Sequence, residues 1–508
     1  MKIRYWIVCL FTFCSVACYD DLGNYDYQEI NEIRIIGMQD NYSAFTGFTT
    51  LNIIPELDFS LDSLPAGRFE YRWYVVNSNF TAHEAPITIS DRRNLNYRVE
   101  LPKAAYYLVF DILDRETGVE WSKTSVLDVT TLYTNGWLLL GERDGFASLD
   151  MVAISATDTT VVTDVLKNSG LPALKGPRKM FSVNYPDNKN WPWVNGCFML
   201  TDDGMYELDR ETFASGAGMN FRYYMYDPDI QNSFAPSDLV QYNSFSRLMI
   251  ADSLLYANSY LSTAGGFGVP ISRYEQGGKT FKVWPQLIYA KTTAGTYEYN
   301  GYQMAYNVEA KRFVQFRADH FVCQNLPDNA GDAFAWETGN DMVAVFNSGL
   351  KTGGIAVSYA IMKSPDSRYY LYSFTTGNRS SSPKKGKRYD ITSLPEIDRA
   401  SQFVFSANYP YMLYAAGAQL YACEFLDSGI TSQILPGFNT DEITMLHFET
   451  TREAGEEVFY VATYNRETGG TVQKCKLADD PNEIRIEKVE NSRWTHLGKI
   501  TSMCWKWY

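Results

Sequence analysis

The sequence predicts an all-β protein: a β-sandwich followed by a β-propeller of about seven blades. Three observations predict it. Aromatic residues make up 15% of the chain, with 37 Tyr and 29 Phe, and aromatic side chains favour strands. Short apolar or alternating stretches recur between Gly/Asp/Asn turns, the signature of many short strands. From Gly136 onward one form of hairpin repeats, with an apolar strand, a tight turn and a second strand, as blades do.

The first element is a leader. Lys2 and Arg4 are basic, Tyr5 to Val16 is apolar, and Ser15-Val16-Ala17 precedes Cys18. A basic start, a short apolar core and small residues before a cut describe a secretory signal peptide over residues 1–17. Its apolar core is too short to span a hydrocarbon layer of roughly 30 Å. Cys18 just after the cut resembles the lipobox of bacterial lipoproteins, and that resemblance makes Cys18 the lipidation site. Several acyl chains, each methylene contributing about 0.8 kcal/mol, make a durable anchor. Asp20-Asp21 resembles the acidic export signal that sends some lipoproteins to the outer face of the outer membrane. The plainer reading is an ordinary secretory leader with an incidental cysteine. Residues 18–30, rich in Gly, Asn, Tyr and Asp, read as a tether.

Charge and cysteine content narrow the function. The chain carries a net charge of -14, and losing Lys2 and Arg4 with the leader takes it to about -16. A nucleic-acid binder needs a basic footprint, which is missing at the level of the whole chain. No later apolar run reaches the ~18 residues of a membrane helix. After Cys9, Cys14 and Cys18 are set aside, Cys197, Cys323, Cys423, Cys475 and Cys504 remain. They are widely spaced and odd in number, so they read as small buried hydrophobes, with one bridge among them left open.

Residues 31–133 form the sandwich. Glu32–Gly37, Thr50–Pro55, Phe69–Val76, Ile87–Ile89, Asn96–Val99, Ala105–Asp111 and Lys123–Val129 read as seven strands. In Phe69-Glu70-Tyr71-Arg72-Trp73-Tyr74-Val75 the odd positions are apolar and Glu70 and Arg72 charged, a period of two with one buried face. Asp114 to Gly118 reads as the turn between the last two strands. Seven short strands with a Trp on the third fit an immunoglobulin-like sandwich. Tyr71-Arg72-Trp73-Tyr74 followed by Tyr106-Tyr107-Leu108-Val109-Phe110-Asp111 is similar to the PKD-like β-sandwich, and Cys18 to Tyr27 resembles the start of PKD-like family lipoproteins. The resemblance implies a place beside SusC/SusD-type uptake systems. It names no reaction.

Residues 134–508 form the propeller. Trp137 to Asp150, Cys197 to Asp209, Tyr411 to Cys423, and Val458 to Leu477 are the four clearest hairpins. Leu254–Leu261, Leu287–Tyr297, Met342–Ala360 and Tyr369–Phe374 are weaker candidates. An apolar strand at Thr501 to Tyr508 is expected to pair with the blade begun near Gly136 and close the ring, which removes two exposed sheet edges. Further sandwiches are the competing architecture.

Residues that carry chemistry are sparse. His83, His320, His447 and His496 lack ligand spacing, and no zinc, phosphate-loop, dinucleotide or serine-hydrolase motif occurs. No catalytic, metal or cofactor site is assigned. Asp202-Asp203 reads as turn chemistry. Asp227-Pro228-Asp229 and Asp328 to Asp332 offer oxygens for calcium without the ordered EF-hand pattern. Trp191, Trp193 and Trp336 lie in polar, Pro- or Gly-broken stretches and are the candidate ligand-stacking residues, with packing between blades as the plainer reading. Arg379, Lys384, Lys385, Lys387 and Arg388 form a basic loop in an acidic chain, a candidate dock for an acidic partner.

The expected function is therefore non-enzymatic. The resemblance implies a lipid-anchored protein on the extracellular side of the outer membrane. Its partners would be a SusC-like TonB-dependent transporter and a SusD-like lipoprotein, its ligand an oligopeptide or oligosaccharide. A surface hydrolase or lyase built on the propeller, and a purely structural spacer, are the alternatives.

Overall fold

The computed structural model describes residues 31–60, 67–79, 85–154, 159–183, 196–243, 246–259, 265–289, 302–317, 321–352, 355–377, 381–406, 408–435, 441–449, 457–478 and 484–506. The chain divides into two compact units, Met1–Val129 and Thr130–Tyr508.

The first unit is a sandwich of nine strands among the described residues. Its larger sheet has the order Asn41–Phe45, Glu120–Thr130, Ala104–Asp114, Phe69–Asn77, Ile87–Ser90. Two ladders complete it: Ile33–Ile36 with Glu56–Phe59, and Thr50–Ile53 with Leu95–Arg98. Asn41–Phe45 and Glu56–Phe59 escaped the sequence reading; both are short, although Glu56-Leu57-Asp58-Phe59 does alternate polar and apolar. The turn at Asp114 to Gly118 forms as expected, with Gly118 N donating to Asp114 O at 2.8 Å. Trp73 sits at the centre, fully buried. Its ring stacks on Phe110 at 4.4 Å, and its Nε1 donates to Arg92 O at 3.0 Å, which satisfies the indole N–H that burial would otherwise orphan. At the end of the same ladder, where Phe69 stands opposite Asp114, Arg68 clasps Asp114 and Glu116.

Among the described residues the second unit holds seven antiparallel sheets, one per blade. From the inner strand outward, blade 1 is Lys499–Lys506, Gly136–Arg143, Phe146–Ile154 and Thr159–Val162. Blade 2 is Pro177–Val183, Gly196–Thr201 and Gly204–Leu208; blade 3 is Pro236–Asn243, Ser246–Ala251 and Leu254–Ser259. Blade 4 is Gln303–Asn307, Arg312–Phe316 and Cys323–Asn325, and its inner position is held by 285–289 through the Ile288–Met304 bridge. Blade 5 is Asp341–Thr352, Ile355–Lys363, Tyr369–Thr375 and Lys384–Asp390. Blade 6 is Gln402–Phe405, Tyr411–Ala416, Gln419–Leu426 and Gly429–Leu435; blade 7 is Glu442–Phe448, Val458–Asn465, Gly469–Leu477 and Ile486–Leu497.

Each blade lies between two others, so its middle strands are buried on both faces. That is why they read as unbroken apolar runs rather than alternations. Leu138 and Leu140 pack with Cys197 and Met199 between blades 1 and 2. On the other face of the same strand, Trp137 and Leu139 pack with Tyr460 and Ala462 of blade 7. Equivalent clusters fill the joints between blades 2 and 3, 3 and 4, 4 and 5, 5 and 6, and 6 and 7. Seven joints for seven blades make a closed ring. The closing strand pairs as expected, from Gly136 opposite Lys506 to Glu142 opposite Lys499. Trp137 meets Trp505 edge-on at 5.2 Å. The first hairpin turn has positive φ at both Asp144 and Gly145, the twist-matched geometry that favours Asp-Gly.

Candidate functional site

The seven inner strands surround one cavity of about 550 Å³, lined by residues of every blade. Its lining comes from the start of the inner strands in blades 2 and 3, from the middle in blades 1 and 5, and from the later half in blade 7.

Part of the wall is a hydrogen-bonded belt that runs from blade to blade. Ser502 Oγ of blade 1 accepts from Met180 N of blade 2 at 3.1 Å. Lys179 Nζ of blade 2 donates to Asp238 Oδ1 of blade 3 at 2.7 Å. Leu287 N of blade 4 donates to Asp238 Oδ2 at 2.8 Å. Asn347 of blade 5 answers with both ends of its amide: its Oδ1 accepts from Tyr289 N at 2.9 Å, and its Nδ2 donates to Leu287 O at 3.0 Å. Asp238 also accepts from its neighbour Leu239 N. It is 1% exposed, and a carboxylate so buried is tolerated only when its lone pairs are filled. Here they are.

The wall at blades 5 and 6 is aromatic. Phe346 is half-buried and packs on Phe405 at 5.0 Å and Phe403 at 6.4 Å. In a ring of seven, blade 2 stands across the axis from blades 5 and 6. The blade that carries Arg178 and Lys179 therefore stands across the axis from the blades that carry these phenyl rings. Arg178 is held by Asp202. Gly176, at φ +60°, lets that carboxylate sit where a Cβ would be 2.0 Å from its oxygen. His447 lines the cavity from blade 7, edge-on to Trp137.

Several expected site residues lie outside the described residues: Cys18, Asp20, Asp21, Trp191, Trp193 and Arg379. Trp336 needs correction. It is 2% exposed and packs in the joint between blades 4 and 5, against Phe313, Phe334 and Phe374. Burial leaves it no face for a ligand. The basic loop also needs correction. Lys384 to Asp390 is the outer strand of blade 5, and two of its lysines have partners. Lys385 is turned inward, 7% exposed, and ion-paired to Asp328 and Asp332, with its ammonium over the Trp336 ring at 5.3 Å. Lys387 pairs with Asp427 of blade 6, and the Arg388 guanidinium covers Tyr370. Lys384 is exposed.

The same contacts answer the calcium candidates. The cation between Asp328 and Asp332 is Lys385, whose hydrogen bond holds the Asp332 carboxyl below its ordinary value. Asp227 caps a short helix by accepting from Asp229 N. Among the described residues no three metal-ligating side chains cluster. The five cysteines are free thiols, and burial pushes Cys323, Cys423 and Cys475 up to about 12. The belt residues Asp238 and Asn347 were missed. Each sits within a strand, and nothing local marks it.

With this geometry in hand, the chain can be compared with known proteins. Residues 18–176 match the PKD-like family. The PKD-like match takes in the whole sandwich and runs on through blade 1 to the start of blade 2, so it crosses the division between the two units. No curated protein matches the chain. Among solved structures, a quinonprotein alcohol dehydrogenase-like protein of Bacteroides thetaiotaomicron superposes over 91% of this chain and 97% of its own, at 12% identity and a TM-score of 0.36. PorZ, a surface component of the type IX secretion system of Porphyromonas gingivalis, does so over 77% of this chain and 44% of its own, at 13% identity and 0.36. YCF48 from Cyanidioschyzon merolae covers 65% of this chain and 96% of its own, at 8% and 0.35. At such scores the propeller stands on the chain's own sheet order.

Proposed function

We propose that this chain is a lipid-anchored cell-surface binding protein, a non-catalytic accessory subunit of a SusC/SusD-type uptake system for oligopeptides or oligosaccharides. The observation that carries the non-catalytic reading is the state of Asp238. It is the one carboxylate among the described residues that line the channel, and its oxygens are filled by Lys179, Leu239 and Leu287. A glycoside hydrolase needs two carboxyl groups that can reach substrate and exchange protons. Asp238 is committed to holding three blades together. The anchor and the partners are supported by the leader, with Cys18 followed by Asp20-Asp21, and by the PKD-like match beginning at residue 18.

The test is purification of the natively anchored protein from outer membranes in mild detergent. Stoichiometric recovery of a TonB-dependent barrel and its SusD-like lid is the expected result. Recovery of the protein alone, with the transporter abundant in the same extract, overturns it. A Cys18→Ala variant is expected to leave the membrane fraction; retention there would sink the lipid anchor.

A further inference from the structure

The channel carries a more specific reading, which rests on its being a binding site. Three facts converge on it. First, it is basic in an acidic chain. The chain has a net charge of -14, yet among the described residues the ionised groups lining the channel are Arg178, Lys179 and the saturated Asp238. Second, Arg178 is poised to change partner, while Lys179 keeps its bond to Asp238 and has ammonium donors to spare. Arg178 and Asp202 are 54% and 52% exposed, and a pair that wet is worth only about 0–1 kcal/mol, so an incoming anion displaces Asp202 at small cost. Lys179 is 38% exposed and is held in place by an aspartate whose other bonds are to backbone. Third, the opposite wall is hydrocarbon, with Phe346 backed by Phe405 and Phe403.

We propose that the channel takes a small organic carboxylate bearing an aliphatic or aromatic side chain, chemically the C-terminal end of a short peptide. The carboxylate sits on Arg178 and Lys179, and the side chain lies against Phe346 across the axis. The volume of about 550 Å³ lies within the range of small-ligand sites. A guanidinium binds carboxylate by paired, charge-assisted hydrogen bonds. A uronic acid shares the carboxylate, but its hydroxyl-studded ring would leave polar groups unpaired against the phenyl wall.

The test is calorimetric titration of the full chain in mild detergent with three probes: N-acetyl-Leu-Phe, its C-terminal amide, and trigalacturonate. The free acid is expected to bind at least tenfold more tightly than the amide. Arg178→Ala, a half-exposed position, is expected to erase that preference. Phe346→Ala weakens both peptides. Equal binding of acid and amide, or binding of neither, overturns the proposal. So does binding of trigalacturonate in preference to the peptide acid. The acid-to-amide comparison uses the unmodified protein, so it stands even if a variant misfolds. It needs no transporter, so its failure is distinct from failure of the co-purification above.

Discussion

The sandwich and the ring solve the same packing problem differently. In the sandwich one core, centred on Trp73 and Phe110, serves every strand. In the ring the apolar surface is divided among seven joints, each shared by only two blades. A single core concentrates stability in a few large side chains, so one substitution can remove much of it. A divided core spreads that risk, but it depends on closure, because an open ring leaves two blades each with an uncovered face. The difference teaches where each unit is vulnerable: the sandwich at its centre, the ring at its seam.

The strongest way to break the comparison is to cut the seam. Deleting Lys499–Lys506 removes the inner strand of blade 1 and uncovers the edge of Gly136–Arg143. The expected result in scanning calorimetry is loss of the cooperative transition of the ring, with the transition of the sandwich retained. Two intact transitions would mean that closure contributes little. Next in size is Trp73→Ala, which empties the centre of the sandwich and should cost about 3–5 kcal/mol. That loss should appear in the sandwich transition alone.

Asp114→Asn comes third. Asp114 is 1% exposed, and the Arg68 guanidinium holds its carboxyl well below the ordinary range. Breaking such a buried pair costs about 3 kcal/mol. The sign of the pH effect follows from the depressed value. The stabilisation is fully present above the unfolded carboxyl value of about 4 and is lost as pH falls from there toward the folded value. The sandwich midpoint of the unmodified protein should therefore drop below about pH 4, and the Asp114→Asn protein should lose that part of the slope. A parallel slope in both proteins would remove the pair from the account. The smallest effect is expected for Lys387→Ala. Lys387 and Asp427 link blades 5 and 6 but are 51% and 80% exposed. Such a pair contributes at most about 1 kcal/mol, so the ring midpoint should hardly move in chemical denaturation.

What was readable in the sequence followed from how local the cause was. The runs at Trp137 to Leu140, Cys197 to Leu200, Tyr411 to Ala415 and Val458 to Ala462 announce strands covered on both faces, and they became the middle strands of blades 1, 2, 6 and 7. The closing strand was readable because an apolar edge needs a partner. Trp336 was misread because its burial is decided elsewhere in the chain. A Gly/Asp-rich stretch looks like a surface loop until Lys385 ties it down from more than 50 residues away. Asp238 and Asn347 were invisible for a related reason. A polar residue inside a strand becomes a belt residue only when another blade brings backbone groups to it. The PKD-like pattern around Trp73 was legible because the tryptophan and its strand-mates lie within one sheet.

The seam also sets a clock. Thr501 Oγ1 bonds Leu140 O across 361 residues of chain. At about 5–20 residues per second of synthesis, the first blade stands without its inner strand for roughly 20–70 s. For that time Gly136–Arg143 is an unpaired, apolar strand edge, the kind of template on which other chains assemble. Any product terminated before Lys499 keeps that edge permanently. Ribosomal pausing or truncation late in this chain is therefore more dangerous than the same fault early, because it releases six finished blades and one open one.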